Sequence, residues 1–192
     1  GDGVVNGPEE CDDANMVDDD ACSDGCIAPR TVFVTSTTIN GQLGGLAGAD
    51  ALCKTSADKN GLVAAQWIAW LSDSNTNAID RLMFDGPYVR MDGKEVAFNK
   101  AQLASGALTH PITLMETSDP ATNVLLVWTG TLSTGLKSVT CNDWTTANVV
   151  VFGAIGTLDN PKNGIWTDNF GPGGGFRNWG CQTTARLYCF EQ

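Results

Sequence analysis

Seven cysteines, placed in two groups, limit this fold more than any other feature. Cys11, Cys22 and Cys26 crowd the front of the chain, while Cys53, Cys141, Cys181 and Cys189 are spread over the remainder. Seven is many for a reducing cytosol. Clustered cysteines can also hold zinc, but the far four are not closely spaced in pairs and the one histidine is His110. Disulfides in an exported protein are therefore the stronger reading. The odd count leaves one thiol over, or pairs it outside residues 1–192.

Charge divides the chain in the same place. Of the net −11, residues 1–29 supply −9, with seven Asp, two Glu and no Lys or Arg, so the other 163 residues carry only −2. This acidity disfavours nucleic acid and anionic membrane as partners, because both are repelled at long range. No stretch is long and apolar enough to span a bilayer. An export signal, if the gene encodes one, is expected ahead of Gly1.

Residues 1–29 have too few apolar side chains to bury a core and read as a small module stapled by disulfides or a metal. From residue 30 the composition changes, and TVFVTSTTI opens the main domain, residues 30–192, as a strand. Ala49, Leu52, Cys53 and Ser56 recur at helical spacing, predicting a helix over about residues 47–58 that Asn60-Gly61 ends. AAQWIAWLS reads as a strand and AFNKAQLASG as a second short helix. NVLLVWTG, ANVVVFGAIG, NGIWTDNF and ARLYCF read as later strands. Two long loops, at about 109–123 and 157–178, are where function is expected.

GLAGADALC, WIAWLS, VWTG, CNDWTT and NWGCQTTARLYCFE together resemble the endostatin-like branch of the C-type-lectin-like fold, over about residues 31–192. They resemble still more closely a bacterial domain family of unknown function found in exported lipoproteins. The resemblance implies an α+β fold with two helices and a twisted, mostly antiparallel sheet. It also implies that Cys53 pairs with Cys189 and Cys141 with Cys181, which would set the strands at Thr31 and Leu187 side by side.

The front segment is similar to a cysteine-rich repeat of exported myxobacterial proteins. Asp2, Gly3, Asn6, Glu10, Cys11, Asp12, Asp13, Asn15, Asp20, Cys22, Ser23 and Cys26 fall into its pattern. Three of its glycines are Ala14, Asp19 and Ala21 here, and its first cysteine would sit just before Gly1.

Oxygen ligands crowd this segment. Two unit charges about 6 Å apart repel by roughly 0.7 kcal/mol even in water, so a hard divalent cation would favour closure of the loop. Calcium suits the set Asp2, Glu10, Asp12, Asp13, Asn15 and Asp20, although the spacing is not that of an EF-hand. A solvated acidic face is the plainer alternative.

Lectin calcium loops have only partial counterparts at Asn160-Pro161 and Trp166-Thr167-Asp168-Asn169. A sugar can also be held without calcium, by aromatic faces beside amides and carboxylates. Asn160, Asn163, Trp166, Asp168, Asn169, Asn178 and Trp179 supply that mixture, whereas Trp67, Trp70, Trp128 and Trp144 lie in strand-like runs and read as core. Nucleophile elbow, P-loop and HExxH motifs are all missing from the sequence. The expectation is an extracellular or cell-surface, non-enzymatic recognition module for a glycan. The competing expectation is an adhesive module for a protein, either a neighbouring domain or another copy of the chain.

Overall fold

A computed structural model describes residues 3–5, 7, 9–12, 14, 27–158, 163–169 and 179–192. Its centre is a five-stranded sheet in the order β2 (Trp67–Ala69), β9 (Tyr188–Glu191), β1 (Arg30–Val34), β3 (Tyr88–Arg90) and β4 (Glu95–Ala97). β1 and β3 run parallel and the other neighbours antiparallel. The architecture is α+β.

Both faces of this sheet are buried, and the pleat sorts the side chains. Val32, Val34, Ile68, Trp70, Tyr188 and Phe190 enter one core, while Phe33, Trp67, Ala69, Leu71, Leu187 and Cys189 enter the other. That alternation is the two-residue period of a strand, and it explains why the apolar runs of the sequence show so few polar interruptions. The first core is aromatic, with Trp70 5.1 Å from Trp166 and 5.7 Å from Phe190.

The second core lies under α1 (Gly45–Lys59), which buries Ala49, Cys53 and Ala57 at four-residue spacing. These small side chains let the helix lie close on β2. Its start precedes the expected one by two residues, because the Trp144 carbonyl accepts from Gly44 N and Gly45 N and fixes the first turn. Its end is as expected: Gly61, at φ +73°, turns the chain so that Leu62 N reaches the Ala57 carbonyl. Arg81 ties this helix down, pairing with Asp50 at 2.6 Å and donating to the carbonyls of Ala69 and Leu71.

The short helix read from AFNKAQLASG is present as Lys100–Ala104, with the Asn99 side chain accepting from Gln102 N. A further single turn, Ala78–Arg81, lacked any periodic signal; it makes α2 of three described helices, against two expected. ANVVVFGAIG does not form one strand. It splits into β6 (Phe152–Gly153) and β7 (Ile155–Thr157), which pair with β8 (Trp179–Gly180) and β5 (Leu126–Trp128) respectively.

Over its described residues, 163–169, NGIWTDNF is not a strand. Asn163 and Gly164 take φ of +59° and +72°, and Thr167 N and Asp168 N both return to the Gly164 carbonyl, closing a turn.

Cys53 is bonded to Cys189 and Cys141 to Cys181, the pairs the resemblance implies. They close loops of 136 and 40 residues, for which chain entropy gives an upper value of roughly 4 to 5 kcal/mol each. Cys11 is also disulfide-bonded. β1 and β9 are direct neighbours, with Val32 opposite Phe190. No described helix is long and apolar enough to cross a membrane.

Candidate functional site

The described residues of the expected sugar site differ in exposure. Trp166 is 1% exposed and packs against Trp70 and Tyr188, because the left-handed turn at Asn163-Gly164 folds its side chain inward. It is a core residue and offers no face to a ligand, which corrects the sequence reading. Asn163 is exposed, and Asp168 and Asn169 are half-buried, with Asn169 N donating to the Ile155 carbonyl. Asn160 and Asn178 lie outside the described residues. Trp179 alone keeps an open indole, 37% exposed on β8.

Of the proposed calcium ligands, Asp2, Asp13, Asn15 and Asp20 also lie outside the described residues. Glu10 pairs with Arg30 at 3.3 Å. Asp12 accepts from three backbone amides, those of Gly3, Val4 and Ala14. Both carboxylates thus already have donors from the chain itself. Ala14, standing where the repeat has glycine, takes φ +64°. Among the described residues, no group of three His, Cys, Asp or Glu is placed to hold a metal.

A different surface collects the features of a binding site. Residues 139–152 wrap around an open cleft of about 500 Å³, lined by Val139, Thr140, Asn142, Thr146, Val150, Val151 and Phe152. The segment is held at several points. Val139 accepts from Ala154 N, Val151 accepts from Cys181 N, and the Cys141–Cys181 bridge lies behind. That bridge needs glycine neighbours: a Cβ on Gly41 or Gly153 would come within 2.4 or 2.8 Å of Cys141 Sγ.

One wall of the cleft is strained. Asn142, Asp143 and Trp144 take φ of +49°, +53° and +63° in succession, a region L-residues rarely enter. The surroundings hold them there. Trp144 is fully buried, with Nε1 donating to the Ser72 carbonyl at 2.7 Å. Asp143 accepts from Ser74 Oγ and Ser74 N, and these bonds, the hydroxyl first, keep its carboxyl below the usual carboxylate range. Strain held in this way recurs at functional sites.

Asp143 is the one charged side chain between Ser138 and Leu158, and it is turned to Ser74 and Thr140. The cleft lining is therefore uncharged. Around it Val149 is 60% exposed, Val150 72%, Phe152 45% and Val139 41%. Phe152 lies opposite Gly180, and directly paired residues share a face of a ribbon, where the Gln182 side chain and the Val149 carbonyl also approach Gly180. Trp179 pairs with Gly153 and belongs to the other face, so the two aromatics do not form one platform.

The sequence reading missed this site because Val149, Val150, Val151 and Phe152 form four consecutive apolar residues, the signature of a buried strand. Asn148 was the available signal. Its Oδ1 accepts from Val150 N at 3.0 Å, which makes the front of the run a turn.

No curated protein matches the chain. A family model described as a protein of unknown function, DUF1554, matches residues 36–160, a span that holds α1, the whole cleft lining and one cysteine from each of the two bridges Cys53–Cys189 and Cys141–Cys181. With well over half its length matched, the chain belongs to the DUF1554 family.

Proposed function

We propose that this chain is a non-enzymatic recognition module of an exported protein and that it binds a protein partner at the Val139–Phe152 cleft. The observation that carries the reading is the convergence of Val139, Val149, Val150 and Phe152, all more than a third exposed, around a concave surface without charge. Patches of this kind on a folded domain mark interaction sites. A sugar site would instead set an aromatic face among amides and carboxylates, and Trp166, in the core, offers no such face. Export is supported by the disulfides, which persist in oxidising compartments. The endostatin-like, C-type-lectin-like fold remains our reading of the main domain, supported by the pairing order of the four far cysteines and by the adjacency of β1 and β9.

A photoactivatable residue at position 150, in the chain in its native setting, tests the function. Discrete protein adducts are expected there and not from the same probe at Val63, which is 97% exposed on the loop after α1. A glycan array probed with and without chelator supplies the opposing outcome. Capture of one sugar class, lost in Asn142→Ala and Phe152→Ala, would replace the protein reading with the glycan one.

Calcium in the acidic segment is proposed on its charge density alone. A melting temperature that rises in millimolar calcium and falls back with chelator is expected, and an unmoved curve removes the ion from the account.

A further inference from the structure

We propose that this chain forms an ester cross-link within itself, from the Thr109 hydroxyl to the side-chain carbonyl of Gln102, with release of ammonia. Residues of β4, of α3 (Lys100–Ala104) and of the chain just after it carry the argument. Glu95, on β4, is 9% exposed. Thr109 is fastened beside that strand, its N donating to the Val96 carbonyl at 2.9 Å, and the next residue, His110, meets the Glu95 carbonyl at 2.8 Å through Nδ1. Gln102, on α3, faces Thr109.

The side chains form one line of hydrogen bonds. Thr109 Oγ1 donates to Glu95 Oε1 at 2.8 Å, Gln102 Nε2 donates to Thr109 Oγ1 at 3.0 Å, and Phe98 N donates to Gln102 Oε1 at 2.8 Å. The other Nε2 hydrogen points to the Ala107 carbonyl at 3.4 Å. Helix capping accounts for the reach of Gln102 back to Phe98 N. It does not account for the same amide meeting a hydroxyl that a buried carboxylate holds. A nucleophile, its base, a carbonyl to be attacked and a donor to the developing oxyanion are thus placed together.

The reaction balances without a cofactor. Glu95 takes the hydroxyl proton as Thr109 Oγ1 attacks Gln102 Cδ, and the negative charge that develops on Oε1 faces Phe98 N. The proton then passes from Glu95 to Nε2, the Cδ–Nε2 bond breaks, and ammonia leaves. An ester joins Oγ1 to Cδ, and Glu95 is a carboxylate again. Cδ is one bond beyond the Nε2 atom that already touches Oγ1, so a small movement separates the resting contact from attack, and groups held this way react at high effective concentration. Protonation and dilution of the ammonia in water draw the step forward. The bond would staple α3 to the segment that runs along β4.

Intact-mass spectrometry of the full, oxidised chain reads the cross-link directly. The wild type should be lighter than its disulfide-bonded sequence by one ammonia, about 17 Da. The deficit should lie in the tryptic peptide that follows Lys100 and ends at Lys137, with no backbone fragments between Gln102 and Thr109. Hydroxylamine should open the bond and leave a hydroxamate at position 102. Thr109→Val and Glu95→Gln, each checked for a cooperative melting curve, should have full mass, while Thr109→Ser should keep the deficit.

A wild type of full mass after prolonged incubation overturns the proposal. So does a deficit that survives Thr109→Val, because asparagine before glycine, as at Asn60-Gly61, also loses ammonia on cyclising and does so without Thr109. Both outcomes are separate from the partner-binding reading, which the adducts at position 150 decide.

Discussion

At the scale of single residues, the side chains that matter most are buried polar groups and strained backbones rather than exposed charges. Arg186, 5% exposed, donates to the carbonyls of Thr35, Ser36, Thr122 and Val124 at 2.6 to 3.0 Å, and burial lowers its pKa. It fastens the chain at Thr35-Ser36 and at Thr122–Val124 to the segment that leads into β9. Arg186→Met should destabilise the protein by about 3 kcal/mol in urea unfolding, because it leaves several buried carbonyls unpaired. Lysine would not rescue it, since an ammonium cannot reproduce the planar fork. Ala14 makes the opposite case. At φ +64° it pays a Cβ penalty that glycine avoids, so Ala14→Gly should raise stability by up to about 1 kcal/mol in the same assay.

At the scale of elements, the short pieces depend on cross-links more than on their own hydrogen bonds. β6 and β8 have two residues each, and the Cys141–Cys181 bridge crosses directly behind them. Replacing both cysteines by alanine should cost up to about 4 kcal/mol. Hydrogen exchange should show the loss first at residues 139–153, ahead of the five-stranded sheet. Elements with a strong local signal were read correctly: α1 from its apolar spacing and Asn-Gly stop, the helix at Lys100 from the segment AFNKAQLASG, and β1 and β9 from their β-branched and aromatic runs. Elements without one were not. NGIWTDNF has strand-like composition, but two successive left-handed residues, Asn163 and Gly164, close it into a turn, and composition carries no record of the sign of φ.

At the scale of the whole molecule, one sheet with two buried faces makes stability sensitive to groups far from the cleft. Tyr88, fully buried between Phe84 and Phe190, donates to the Phe84 carbonyl, and desolvation pushes its phenol up to about 12. The folded state then holds this proton more tightly than the unfolded chain, whose phenols ionise near about 10. The resulting stability is complete below that value and is lost as pH rises towards about 12. Unfolding free energies measured across this window should fall for the wild type, and Tyr88→Phe should remove part of the slope.

The sequence by itself determined the mixed α+β character, the main helix, four of the six tryptophans as core and the concentration of acid at the front, because periodicity, β-branched runs and charge are local properties. It also carried, through resemblance, the pairing of the four far cysteines. Only the tertiary structure decided that Trp166 belongs to the core and that Val149 and Val150 face solvent. Each outcome depends on a turn whose left-handed residues or side-chain cap reverses the direction in which an apolar residue points. Hydrophobicity states that a side chain gains from burial; the path of the backbone determines which of them reach the interior and which remain outside.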